Sequence, residues 1–226
     1  MSSGRPQRQV RLGIGRSMLT AVGLDLALDA NKTIPDFTFS ILEERSFVLL
    51  AALAEGRIDI AFTYNADGNA DIQCTPVMEE DFLLVTASTP KPPTGTVTFA
   101  EALRNELIIG GEHGVIRQTV EAQARRLSLE MRIAFEVHSV PSMKTMLARG
   151  LAATIVPFSL AAEELRSGKF AGRKIVRPTL TRTLFVCKRK ISASHVNDKR
   201  VTAHVGKLVD AYAKSMKPWA RRLPKP

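Results

Sequence analysis

The polar and apolar positions of this chain fall into short runs whose period changes repeatedly. Residues 9–15 alternate every second position, as a half-buried strand does, and stop at Gly15. From Ser17 to about Ala30 the run is strongly apolar, with Leu19, Val22, Leu24, Leu26 and Leu28; Ser17 is a suitable helix cap, and Pro35 and Asp36 close the segment. Residues 37–42 read as a second strand. Ser46 to Glu55 read as a second helix closed by Gly56, and residues 57–64 as a third strand. Strand, helix, strand, helix, strand in that order predicts a mostly parallel sheet.

The pattern then repeats. Residues 53–64 form a helix end, a glycine stop and an apolar strand, and residues 146–157 do the same. That recurrence predicts two similar α/β lobes, each Rossmann-like, with a central cleft. Strands are expected at 72–77 and 81–87, separated by Glu79 and Glu80, and at 106–110, 132–138, 152–156, 174–177 and 183–187. Helices are expected near 99–104, 115–127, 159–166 and 196–216, and after Ser139, with Pro141 in an early helical position. The Pro-rich stretch 89–95 marks a lobe boundary. Lobe I is therefore placed at residues 9–87 and 181–216, lobe II at 88–180, and flexible tails at 1–8 and 217–226.

Composition narrows the class. The chain has 226 residues, 45% of them hydrophobic, and a mean hydropathy of −0.01, which fits a soluble core. No apolar run approaches the roughly 18–20 residues of a membrane span. The basic N-terminus has no apolar stretch behind it, so no secretory signal is read and a cytoplasmic protein is expected. Cys74 and Cys187 lie in strand-like runs without metal spacing; two reduced, buried thiols are expected, with a regulatory disulfide as the alternative. The charge is uneven. Residues 1–172 hold 17 Lys and Arg against 20 Asp and Glu, whereas residues 173–226 hold 15 against only Asp198 and Asp210. That basic end reads as a solvated segment or as a surface for DNA phosphates.

No Ser-His-Asp, Cys-His, metal or phosphate-loop arrangement is legible. Gly13 and Gly15 lack the further glycine of a dinucleotide fingerprint, and the four histidines lack ligand spacing. The chain is therefore expected to be no enzyme, and to carry no cofactor and no metal.

Four pieces, in order, carry a family resemblance. They are residues 10–15 with Ser17; Ser46 through residues 55–61; residues 106–110 with His113 and Gly114; and residues 148–157. Together they resemble the effector-binding domain of LysR-type transcriptional regulators, over residues 9 to about 215. The family's Gly-x-Gly-Ile before the late strand is altered, Ala152 and Ala153 standing for the second Gly and the Ile. The resemblance implies a type 2 periplasmic-binding-protein-like fold and a homodimer through residues 17–42, with a tetramer in a full-length regulator. It implies DNA contact only through a winged helix-turn-helix that is missing ahead of Val10, and no membrane partner. A solute-binding protein of a transport system is the alternative.

The expected ligand is a small anion, a carboxylate first, because helix N-termini present free N–H groups and a positive dipole end. Ser17 and Ser46 each open a helix, and Thr63 ends a strand. His113, Gly114 and Val115 begin a helix of the second lobe, and Arg16 and Arg117 can hold a carboxylate bidentately.

Overall fold

The computed structural model describes residues 8–64, 66, 68–111 and 114–224. The chain forms two compact units, one ending at Glu79 and resuming at Thr183, the other Glu80–Arg182. Unit 1 opens with β1 (Arg8–Ile14), α1 (Arg16–Thr33), β2 (Phe37–Glu43), α2 (Ser46–Ala54) and β3 (Ile60–Thr63), and the long β4 (Ile72–Ala87) begins in unit 1 and ends in unit 2. Unit 2 contains β5 (Thr96–Thr98), α3 (Phe99–Leu103), β6 (Leu107–Ile109), α4 (Val115–Arg126), β7 (Ile133–Glu136), α5 (Val140–Ala148), β8 (Thr154–Pro157), α6 (Phe158–Arg166) and β9 (Phe170–Val176). The chain returns through β10 (Thr181–Arg189) to α7 (Lys199–Ser215) and β11 (Ala220–Arg222).

In unit 1, β1 pairs in parallel with β2 on one side and β3 on the other; β10 then pairs antiparallel with β3 and is followed by β4. The helix–glycine–strand units read from the sequence are present in both halves. Gly56 (φ +72°) ends α2, with Gly56 N–H donating to Leu53 and Arg57 N–H to Ala52. Gly150 (φ +69°) ends α5 with the same pattern against Leu147 and Met146. A left-handed residue there favours glycine because a Cβ would crowd the backbone.

α1 buries Met18, Val22, Leu26 and Ala30, one residue per turn, and packs on α7. Its outer face is also apolar: Leu24 is 73% and Leu28 51% exposed, and Ile41 of the edge strand β2 is 41% exposed. In unit 2, β6 and β7 are parallel, β8 and β9 pair antiparallel with β4, and Phe82, Phe99, Leu103, Leu107 and Ile155 centre the core. Ser139 caps α5 by accepting from Ser142 N–H, with Pro141 in the first turn.

Three expectations need correction. Glu79 and Glu80 do not break the strand; β4 runs through them because both are paired. Glu80, fully buried, accepts from Arg182 Nε at 2.9 Å and from the Ser159 N–H at 2.5 Å, and Glu79 meets Arg221. The units consequently divide within β4, at Glu79 and Glu80, and not in the Pro-rich stretch. The segment expected to be a loose tail from 217 forms β11 beside β4, held by Leu223 N–H donating to Val77 O at 3.0 Å and by Arg222 bonding Val77 O and Asp210. Residues 1–7, most of the other expected tail, lie outside the described residues, as do 225 and 226.

The basic C-terminal segment is partly spent on internal pairing. Arg200 grips Asp36 through two bonds of 2.8 and 3.0 Å and also meets Asp198, while Lys207 meets Asp29. The Arg200 guanidinium holds the Asp36 carboxyl below the ordinary carboxylate range.

Candidate functional site

Because β1, β2 and β3 are parallel, their carboxyl ends share one edge, where open α/β sheets bind ligands. β1 ends at Ile14 and α1 starts at Arg16; β2 ends at Glu43 and α2 starts at Ser46. Two helix N-termini therefore share this edge with Thr63, the end of β3. Neither serine is a cap. Gly15 and Arg45 occupy the cap positions, without side-chain cap bonds, and Ser17 and Ser46 sit half-buried inside the first turns. Ser46 Oγ instead accepts the Tyr64 N–H at 3.0 Å, which leaves its hydroxyl hydrogen to be donated. The Tyr64 hydroxyl lies 3.1 Å from that of Tyr212, a fully buried residue of α7.

Two proposed residues of this edge are otherwise engaged. Thr63 is fully buried and its Oγ1 lies 3.5 Å from Cys187 Sγ, so its side chain serves the core. Arg16 donates through Nε to Glu43 Oε1 at 2.8 Å, and that bond raises the guanidinium pKa further above its ordinary value. Just ahead of β3, burial pushes the Asp59 carboxyl up, but bonds from the Arg11 side chain and backbone outweigh it and hold the group below its ordinary range.

In unit 2, Gly114 caps α4 in an extended conformation, its N–H donating to Gly111 O at 2.8 Å. Val115 is the first helical residue, and its carbonyl accepts from Thr119 Oγ1. Arg117 is buried and turned inward. It donates from Nε to Glu121 at 2.6 Å and from Nη1 to Glu136 at 2.5 Å and to Gly110 O at 3.3 Å. The bond from Arg117 in turn lowers the Glu136 carboxyl pKa. Arg117 thus fixes α4 to β7, because Glu121 stands one turn along the helix and Glu136 on the adjacent strand. His113 lies outside the described residues.

Sequence reasoning missed the Glu80–Arg182–Ser159 cluster, whose members are far apart along the chain. Tyr212 lies within the helix expected at 196–216, where nothing in the local sequence points to its contact with Tyr64. The expectation of reduced thiols is overturned: Cys74 and Cys187 form a disulfide, S–S 2.03 Å, between β4 and β10. Neither residue has a sequence neighbour that signals this; β4 and β10, neighbours in the sheet, bring them together across 113 positions.

The class is defined first by the architecture. The BenM effector-binding domain with its effector benzoate superposes with a TM-score of 0.74 at 16% identity, covering 92% of this chain and 93% of that one. The Corynebacterium glutamicum OxyR C206 mutant gives 0.76 at 20% identity, covering 94% and 67%. This is the periplasmic-binding-protein-like type 2 fold of LysR effector-binding domains. The family follows from the sequence itself: residues 3–197 match the LysR substrate binding domain, and the chain belongs to that family. Among curated relatives, the nitrogen assimilation regulatory protein nac of Klebsiella aerogenes is 24% identical over 154 residues, 68% of this chain and 50% of its own length. The chain thus spans half of that regulator. No helix among the described residues is long and apolar enough to cross a membrane.

Proposed function

We propose that this chain is the sensing part of a LysR-type transcriptional regulator, working in the cytoplasm on a small carboxylate or similar anion, and that it is not an enzyme. The observation that carries the reading is the Ser46–Tyr64 corner, where a hydroxyl with a hydrogen to donate stands at a helix N-terminus on the carboxyl edge of parallel strands. The first turn of α1 at Arg16 and Ser17 adds unpaired backbone N–H groups, since no helix satisfies its own first donors. In unit 2 the first turn of α4, from Val115 onward, offers donors of the same kind, while the Gly114 N–H is taken by Gly111 O. Benzoate, the effector of a structural relative, supports a carboxylate as the ligand class.

The apolar outer faces of α1 and β2 support a two-fold dimer through residues 17–42. Effector binding would favour one of two conformations, and the dimer would pass that preference to DNA-binding parts of the whole regulator. Titration calorimetry tests the site, with benzoate as the first probe and small carboxylates from a thermal-shift screen after it. Ser46→Ala should weaken binding about ten- to a hundredfold, the loss of one hydrogen bond to a charged group. Unchanged affinity in a folded Ser46→Ala protein would place the ligand elsewhere.

A further inference from the structure

The two sulfurs of the Cys74–Cys187 bond have unlike surroundings. Cys187 is fully buried in the cluster formed by Leu49, Leu53, Ile58 and Ala61, whereas Cys74 lies at the margin of that cluster and is partly exposed. Thr63 Oγ1 is 3.5 Å from Cys187 Sγ, and because a disulfide sulfur carries no hydrogen, the threonine donates. Thr63 is the last residue of β3, and the next residue, Tyr64, donates its N–H to Ser46 Oγ. The buried sulfur therefore rests against the segment that ties β3 to α2.

We propose that Cys74–Cys187 is a redox-responsive site, reducible by a low-molecular-weight thiol, and that its state sets the order of the Thr63–Tyr64–Ser46 corner. A thiolate attacks Cys74 Sγ, the reachable sulfur. A new S–S bond forms as the Cys74–Cys187 bond breaks, and the electron pair passes to Cys187 Sγ. The Thr63 hydroxyl already points at that sulfur and hydrogen-bonds the leaving thiolate, which then takes a proton, as burial in apolar surroundings favours the neutral thiol. A second thiolate attacks the small molecule's own sulfur in the mixed disulfide and releases Cys74 as thiolate, which is protonated from solvent. Two small thiols are oxidised to one disulfide, and two protein sulfurs are reduced.

Two separate thiols need more room than a bonded pair, and a protein interior is close-packed. The displacement falls on the β3–β10 pairing, where Phe185 faces Thr63 and Cys187 faces Ala61.

The test compares the whole chain, oxidised, with the same chain after dithiothreitol. Thiols are counted by mass after iodoacetamide, and hydrogen exchange is followed at the Tyr64 amide. Reduction should give two alkylated cysteines with the far-UV spectrum retained, and Tyr64 exchange faster by roughly tenfold or more, as expected of a local opening. The double variant Cys74→Ala, Cys187→Ser should exchange fast without dithiothreitol and no longer respond to it. Equal Tyr64 exchange in both forms, no alkylation without denaturant, or collapse of the far-UV spectrum on reduction would each overturn the proposal, the last by making the bond a structural staple. If the double variant fails to fold, the dithiothreitol comparison decides alone.

Discussion

The Tyr64 backbone N–H donates to Ser46 Oγ at 3.0 Å, so the end of β3 is anchored on the first turn of α2. Because Arg45 is the cap of α2, removing this hydroxyl tests the anchor without removing a cap. Ser46→Ala should cost about 1 kcal/mol in urea unfolding, the net value of one intramolecular hydrogen bond. Protection of the Tyr64 amide should fall with it. A variant as stable as the parent, with Tyr64 equally protected, would show that the bond does not hold the corner.

The buried Glu80 depends on Arg182 and on the Ser159 N–H. Arg182→Met strands a carboxylate in the interior and should cost about 3–5 kcal/mol. Glu80→Gln keeps the shape and removes the charge, and should cost clearly less. Chemical denaturation of both variants measures the order, and equal losses would contradict it.

Asp59 has its carboxyl held below the ordinary range by Arg11. A lowered folded pKa contributes stability that is complete above the unfolded value of about 3.9 and disappears as pH falls through the folded one. Between about pH 5 and pH 2 the parent should therefore lose more stability than Asp59→Asn, whose side chain does not titrate. Parallel slopes in thermal melts across that range would refute the assignment.

Leu24 and Leu28 are the exposed apolar positions of α1. If they meet a second copy, Leu24→Asp should turn a species of roughly twice 24.8 kDa into one of 24.8 kDa by sedimentation at micromolar concentration, with the circular dichroism unchanged. A parent that sediments as a monomer would remove the basis of the dimer.

Most of the fold was legible because local periods and glycine stops report locally formed elements. Gly56 and Gly150 marked the same turn in both halves, and Ser139 with Pro141 marked the start of α5. What escaped was set by partners distant in sequence. Glu79 and Glu80 read as a break because Arg221 and Arg182, which neutralise them, lie more than a hundred positions away. The carboxyl edge of β1–β3, on which the proposed site rests, was legible as a place, but the engagements of its side chains were less so. Arg16 and Arg117 look available in a linear reading; Glu43, and Glu121 with Glu136, engage them in the fold. Thr63 reads as a strand-end hydroxyl, and only the pairing of β10 with β3 brings Cys187 against it.

β11 has a consequence for handling the molecule. Its residues cover a flank of β4 around Val77. Trimming the chain after α7, as its proline-rich ending invites, would lay bare a row of strand donors and acceptors next to Met78 and Val77. Uncovered strand flanks of that kind recruit other chains. This short last strand thus works as a guard against self-association, and a truncated protein would be expected to precipitate before it loses its ability to fold.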